Sequence, residues 1–163
     1  MARILIVGCG CRGRSLAAAL VAEGYAVRGT TRDPANVDAL AQSGAEGVVA
    51  DPDRLATLTP HLDGVSALCW LMGSATGASA QVEALHGPRL RSLLETLVDT
   101  HVRGFVYEAA GTAPPSLRAQ GAGTVRTLGA TFHMPVEVVE AEPEALPAWL
   151  SATTRAVGEV LGP

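Results

Sequence analysis

The run RILIV, Arg3–Val7, ends in Gly8-Cys9-Gly10-Cys11-Arg12-Gly13, and this junction limits the fold more than any other feature of the chain. A short, continuously apolar run with β-branched residues reads as a strand buried on both faces. Helical composition follows over residues 15–23, and Gly24 is placed to end it. The spacing Gly8-x-Gly10-x-x-Gly13 assigns each glycine a task. Gly8 permits the tight turn, Gly10 has no Cβ to obstruct a diphosphate, and Gly13 lets the helix approach the sheet. The helix amino terminus offers free amides and a positive dipole end to an anion. A bare motif of this kind is weak, but this one has a strand before it and a helix after it, so it points to dinucleotide binding. The bland alternative is a glycine-rich turn that holds no ligand.

The same alternation continues along the chain. Residues 26–31 read as a second strand. Asp33-Pro34 opens a helix carrying Leu40 and ended by Gly44, because Asp33 can cap orphan amides and proline suits the first helical position. A third strand over 47–50 leads through Asp51-Pro52 to a brief helical turn with Leu55, Leu58 and Leu62. A fourth strand covers 65–71, a glycine and serine loop 73–77, and the longest helix 81–100, irregular near Gly87-Pro88. The fifth strand is 104–107. A proline and serine loop at 114–116 precedes a helix over 123–132, a sixth strand over 136–140 and a last helix over 146–161. Strands separated by helices require right-handed crossovers and a parallel sheet covered on both faces. The predicted fold class is α/β, a single three-layer Rossmann-like domain over residues 1–163, with a mainly parallel sheet of about six strands.

Composition narrows the function classes. A chain of 163 residues can bury a real core, and 48% apolar with 17% charged residues excludes a disordered chain. The net charge of -4 lacks the basic excess that nucleic acid requires. No apolar run is long enough for a membrane helix, and the first strand lacks signal-peptide features. Three cysteines do not make a disulfide framework. The expectation is a soluble, cytoplasmic protein with a small-molecule dinucleotide as partner, no nucleic acid and no membrane. Edge strands or outer helices offer surfaces for a homodimer. All 12 basic residues are arginines, which excludes lysine Schiff-base chemistry, a lysine phosphate clamp and a tyrosine–lysine pair.

The end of the second strand distinguishes the cofactors. An NAD site places an acid there for the adenosine ribose, and an S-adenosylmethionine site also wants one. This chain has Thr30, Thr31 and Arg32, with Asp33 one position late. Arg32 can pair with a 2′-phosphate and stack on adenine, and Arg12 can reach the same phosphate, so NADP is predicted over NAD. The bland reading of Arg32 is a solvated strand end. Asp51 can approach the adenine amino group or cap the next turn. Gly73 and Ser74 leave the fourth strand where the backbone would approach the cofactor. The predicted cofactor residues are therefore Gly8, Gly10, Cys11, Arg12, Gly13, Thr31, Arg32, Asp51, Gly73 and Ser74. Cys9 and Cys11 lack further ligands for a tetrahedral metal site and read as small loop residues, and Cys69 reads as core. Glu108, at the end of strand five, and His133, before strand six, are the titratable groups whose direction toward the site stays open. Ser74 and Thr112 are candidate ribose or substrate contacts.

The segment RILIVGCGCRGRSLAAALVAEGYAVRGTTRDP, residues 3–34, resembles the NAD(P)-binding end of the extended and atypical short-chain dehydrogenase/reductase superfamily. Its nearest flavour is that of nucleoside-diphosphate-sugar epimerase-like and NmrA-like proteins. Asp51, the loop beyond Leu71 and GFVYEAAGT at 104–112 fit the same plan, so the resemblance covers residues 2–112. It implies NAD(P) at Gly8, Gly10 and Gly13. In active members it also implies a serine or threonine near the end of strand five and a Tyr-x-x-x-Lys pair. Here Glu108, Ala109 and Ala110 occupy the first position, Tyr107 is followed four residues later by Gly111, and Tyr25 precedes strand two. The resemblance, with Arg32 and the absent dyad, leads to the expectation of an NADP-binding, epimerase- or dehydratase-like protein, a weak NADPH-dependent oxidoreductase with no such dyad. The alternatives are a non-catalytic dinucleotide-sensing or partner-binding domain, and an S-adenosylmethionine-binding, methyltransferase-like protein.

Overall fold

A parallel strand covered by helices on both faces must be apolar at nearly every position. β1 (Arg3–Val7) meets that condition and lies inside the sheet. The computed structural model describes residues 1–162. Its other strands are β2 (Ala26–Thr31), β3 (Glu46–Val49), β4 (Ala67–Trp70), β5 (Gly104–Glu108) and β6 (Val136–Val139). They form one six-stranded sheet of order β3-β2-β1-β4-β5-β6, with every pair parallel. The order reverses between β1 and β4, so the carboxyl ends of these two strands flank the crevice where such sheets bind ligands.

The helices are α1 (Cys11–Ala22), α2 (Val37–Gln42), α3 (Leu55–Leu58), α4 (Ser79–His86), α5 (Pro88–Leu97), α6 (Pro115–Thr131) and α7 (Leu146–Leu161). Successive strand residues point to opposite faces. Leu5, Val7, Leu68, Trp70, Phe105 and Tyr107 pack into one layer with α4, α5 and α6. Ile4, Ile6, Ala67, Cys69 and Val106 pack into the other with α1, α2 and α7. Among the described residues, no helix is long and apolar enough to cross a membrane.

Three local differences from the sequence reading have physical causes. α1 begins at Cys11 and not at Ser15, with Gly10 as its N-cap, so the glycine motif itself forms the first turn. The expected 81–100 helix is two helices, because Pro88 has no N–H to donate and holds Gly87 out of the helical region. α6 starts at Pro115 and absorbs the expected 114–116 loop, since proline is tolerated in a first turn. The glycines inside α6 argue against a helix on propensity, but Gly121 is where α6 rests on Tyr107: a Cβ there would collide with the phenol oxygen.

His133 does not face the crevice. It follows α6 in a left-handed conformation, φ 55°. The Met134 N–H donates to the Gly129 carbonyl (2.9 Å) and the His133 N–H to that of Ala130 (3.4 Å), which is the Schellman pattern with His133 in the position glycine usually takes. Residues entering a strand lie at its amino end, so His133 stands at the edge of the sheet opposite the crevice. Replacing it with glycine relieves the left-handed penalty. His133→Gly is expected to raise unfolding stability by about 1 kcal/mol in urea titrations.

Candidate functional site

The carboxyl ends of β1, β2, β3 and β4 open onto a cleft of about 610 Å³. Its floor is the turn from β1 to α1. Gly8 has φ +90°, and a Cβ there would strike the Met72 side chain and the Leu71 carbonyl. At Gly10 a Cβ would meet nothing and would project into open space, so the missing side chain keeps the cleft clear. At Gly13 it would lie 3.1 Å from the Cys9 thiol and 3.2 Å from the Gly8 carbonyl, so this glycine lets α1 sit close to its own turn. Cys9 fills the space between Gly13 and Gly29, and burial pushes its thiol up to about 12, which makes it a packing residue. Cys11 is exposed at the helix start, with its sulfur accepting a bond from the Arg14 guanidinium at 3.2 Å. The first helical bond runs from the Arg14 N–H to the Gly10 carbonyl (2.8 Å), so the N–H groups of Cys11, Arg12 and Gly13 have no intrahelical acceptor. They form a cradle suited to a diphosphate.

Thr31, Arg32 and Asn36 line the β2 side of the cleft. The Thr31 hydroxyl is bonded to the backbone of Asp33, and the Asp33 carboxylate accepts the Ala35 N–H at 2.9 Å, the cap expected from the sequence. Arg32 is exposed and, among the described residues, pairs with no carboxylate. Asp51 lines the β3 side, but one of its oxygens accepts the Asp53 N–H at 2.9 Å, so it also caps its own turn. Asp53, which the sequence did not single out, lines the cleft while its carboxylate accepts from Arg89 at 3.2 Å.

Arg12 is turned away from Arg32. Glu108 is buried at the end of β5, with one carboxylate oxygen accepting the Gly73 N–H (2.9 Å) and the other the Trp149 indole N–H (2.9 Å). The Arg12 guanidinium lies 3.7 Å from that second oxygen and 5.8 Å from the Trp149 ring centre. Burial pushes the Glu108 carboxyl above its ordinary range, and Arg12 and the two N–H donors pull it back. Arg12 lines the cleft, but its guanidinium is paired toward β5, three strands or about 14 Å at sheet spacing from β2 and Arg32. Gly73 is also diverted. Its N–H is spent on Glu108, its carbonyl accepts the Ala113 N–H at 2.8 Å, and a Cβ would collide with the Ala110 carbonyl. The close approach that requires glycine is to the loop after β5 and not to a ligand. Ser74 does line the cleft, with its hydroxyl accepting the Thr112 N–H at 3.3 Å.

Tyr107 and His86 form a second polar pair in the opposite layer. The His86 Nε2–H donates to the Met72 carbonyl (3.0 Å), which leaves Nδ1 to accept from the Tyr107 hydroxyl. Burial lowers the histidine pKa and raises that of the tyrosine. Neither group is poised for proton transfer at the cleft. Sequence gave no sign of this pair, since its members lie on separate elements. Its one local trace is Gly121, the small residue opposite the phenol.

A profile of the family described as NAD(P)H-binding matches residues 8–133 of the chain. No curated protein matches it by sequence. Among solved structures, it is similar to a short-chain dehydrogenase/reductase superfamily protein from Agrobacterium tumefaciens with bound NAD, with a TM-score of 0.69 and 24% identity, over 85% of this chain and 48% of that one. It is similar to vestitone reductase from alfalfa, with a TM-score of 0.64 and 15% identity, over 86% of this chain and 56% of that one. A UDP-glucose 4-epimerase from Thermotoga maritima has a TM-score of 0.67 and 11% identity, over 85% of this chain and 54% of that one. The chain thus spans about half the length of these structures, and identities this low establish the shared Rossmann-like fold.

Two outcomes follow from the buried groups. Glu108→Ala strands the Gly73 and Trp149 N–H groups without acceptors and is expected to cost about 2–4 kcal/mol in denaturant unfolding. Trp149→Phe removes one of the two donors, so the pair should couple measurably in a double-mutant cycle. His86 has a folded pKa below its ordinary 6.5, so its contribution is present above pH 6.5 and is lost as pH falls from there toward the folded value. Stability measured from pH 7 down to pH 5 should fall less steeply in His86→Gln than in the wild type.

Proposed function

The chain belongs to the NAD(P)H-binding family, and from that premise we propose that its cleft binds NADP in preference to NAD. The observation that carries the preference is Arg32. It stands exposed at the end of β2, on the cleft wall, where an NAD site carries an acid. A guanidinium there suits a 2′-phosphate. The open space at Gly10 and the free amides of Cys11, Arg12 and Gly13 suit the diphosphate, and Thr31, Asp51 and Ser74 are the proposed polar contacts beside it. The arginine and the family match together set aside S-adenosylmethionine.

Bound NADPH supplies a hydride, and the protein's part is to bind and orient it. The chain has no lysine, and its Tyr107 is buried on His86, so an epimerase- or dehydratase-like reaction through a tyrosine–lysine pair finds no residues to carry it. The catalytic form of the proposal is a weak NADPH-dependent oxidoreductase whose acceptor, a flavin or quinone, takes its proton from water. The second reading is a dinucleotide sensor without turnover, favoured by the buried Glu108 cluster beside the cleft. The free thiols of Cys9, Cys11 and Cys69 support a cytoplasmic setting. Self-association through an edge strand or outer helix is read by sedimentation of the same samples.

Calorimetry tests the assignment. NADPH should bind more tightly than NADH, and Arg32→Ala should weaken NADPH by about tenfold, the lower end for a charge-assisted hydrogen bond, while leaving NADH nearly unchanged. Equal affinities that Arg32→Ala does not alter would remove the NADP preference. NADPH oxidation by quinones or flavins, above that of a Gly10→Val control, separates the enzyme from the sensor.

A further inference from the structure

A dinucleotide-binding sheet of this order consists of two mononucleotide halves, and the ligand lies across both. Here the halves are β1–β3 and β4–β6. The cleft draws on all of the first half: the β1 turn, the β2 end with Arg32, and Asp51 beyond β3. From the second half it draws on the loop after β4 and on α4, and among the described residues none of β5, β6 or the segments that follow them lines it.

The carboxyl end of β5 is instead filled by the chain itself. The Glu108 carboxylate, the Trp149 ring and the Arg12 guanidinium occupy the layer beside it. Much of the backbone of the loop that leaves β5 is spent within the chain. The Ala109 N–H donates to Val139 (2.8 Å), the Thr112 N–H to Ser74 (3.3 Å) and the Ala113 N–H to Gly73 (2.8 Å). The carbonyls of Ala109 and Ala113 accept from Arg118 at 3.0 and 2.9 Å. A nicotinamide or its ribose would have to displace these bonds to pair with the groups that make them. At the β1 turn the reverse holds: three backbone N–H groups and the space above Gly10 stand open.

We infer that the cleft reads the adenosine diphosphate half of its ligand and makes little use of the nicotinamide half. Its ligand class is then the 2′-phosphorylated adenosine phosphates, with or without a nicotinamide attached. The inference rests on the nucleotide-binding reading of the same cleft, and it changes what that binding recognises. NADP, NADPH and 2′-phospho-ADP-ribose become near-equivalent ligands, adenosine 2′,5′-bisphosphate, with one of the two linked phosphates, is a weaker one, and nicotinamide mononucleotide is not one.

Competition calorimetry on the wild-type chain tests this with those five compounds. The expected result is that 2′-phospho-ADP-ribose binds within about threefold of NADPH and that nicotinamide mononucleotide does not compete. If NADPH binds about tenfold or more tightly than 2′-phospho-ADP-ribose, the inference is overturned while the nucleotide-binding assignment stands. If none of the five binds, both fall together. Amide exchange gives an independent readout. Saturation with NADPH should slow exchange at Cys11, Arg12 and Gly13 and leave Thr112 and Ala113 as they are with adenosine 2′,5′-bisphosphate. A change at Thr112 and Ala113 produced by NADPH alone shows the β5 loop yielding to the nicotinamide and overturns the inference.

Discussion

A carboxylate removed from water must be surrounded by donors, or the cost of burying it falls on the whole fold. Glu108 meets this condition by accepting from the Gly73 amide after β4 and the Trp149 indole on α7, with the Arg12 guanidinium on α1 as a countercharge 3.7 Å away. These contacts cannot form unless α1 and α7 lie side by side on one face of the sheet and the loop after β4 leans over β5. The relation between the glycine turn and the second half of the sheet therefore depends on one buried side chain.

Tyr107 and Glu108 are neighbours in β5, and the pleat sends them to opposite layers. Each anchors a polar cluster there, His86 with the Met72 carbonyl on one side and Arg12 with Trp149 on the other. The His86 cluster is a closed set of donors and acceptors, whereas in the Glu108 cluster both carboxylate oxygens are bonded and the buried Arg12 Nε has no partner among the described residues. The groups that might have served as acid or base are committed to structure, and burial lowers the pKa of His86 and raises that of Tyr107, away from ready proton exchange. The first half of the sheet has the opposite character. Its helix terminus is open, its arginine is solvated, and its glycines keep the approach clear. Binding capacity and structural closure are thus divided between the two halves of one sheet.

The similarity to the solved structures is a similarity of this sheet and its crossovers, extending over about half of each compared chain. What those folds share is the βαβ turn and the strand order. What this chain does at the end of β5 follows from its own residues, Glu108 and the donors around it.

The local features were legible in the sequence because local physics sets them. The spacing of Gly8, Gly10 and Gly13, the apolar strands and the Asp33 cap each depend on residues within one turn of the chain. The parallel α/β class followed from their alternation. The directions of Arg12 and His133, the burial of Glu108 and the diversion of Gly73 were not legible. A side chain's partner is chosen by packing between distant elements: Trp149 meets Glu108 across 41 positions. Sequence alone determined that a diphosphate cradle could form after β1. Only the tertiary structure decided that the neighbouring half of the sheet would be closed, because only there do a buried acid and its scattered donors come within bonding distance.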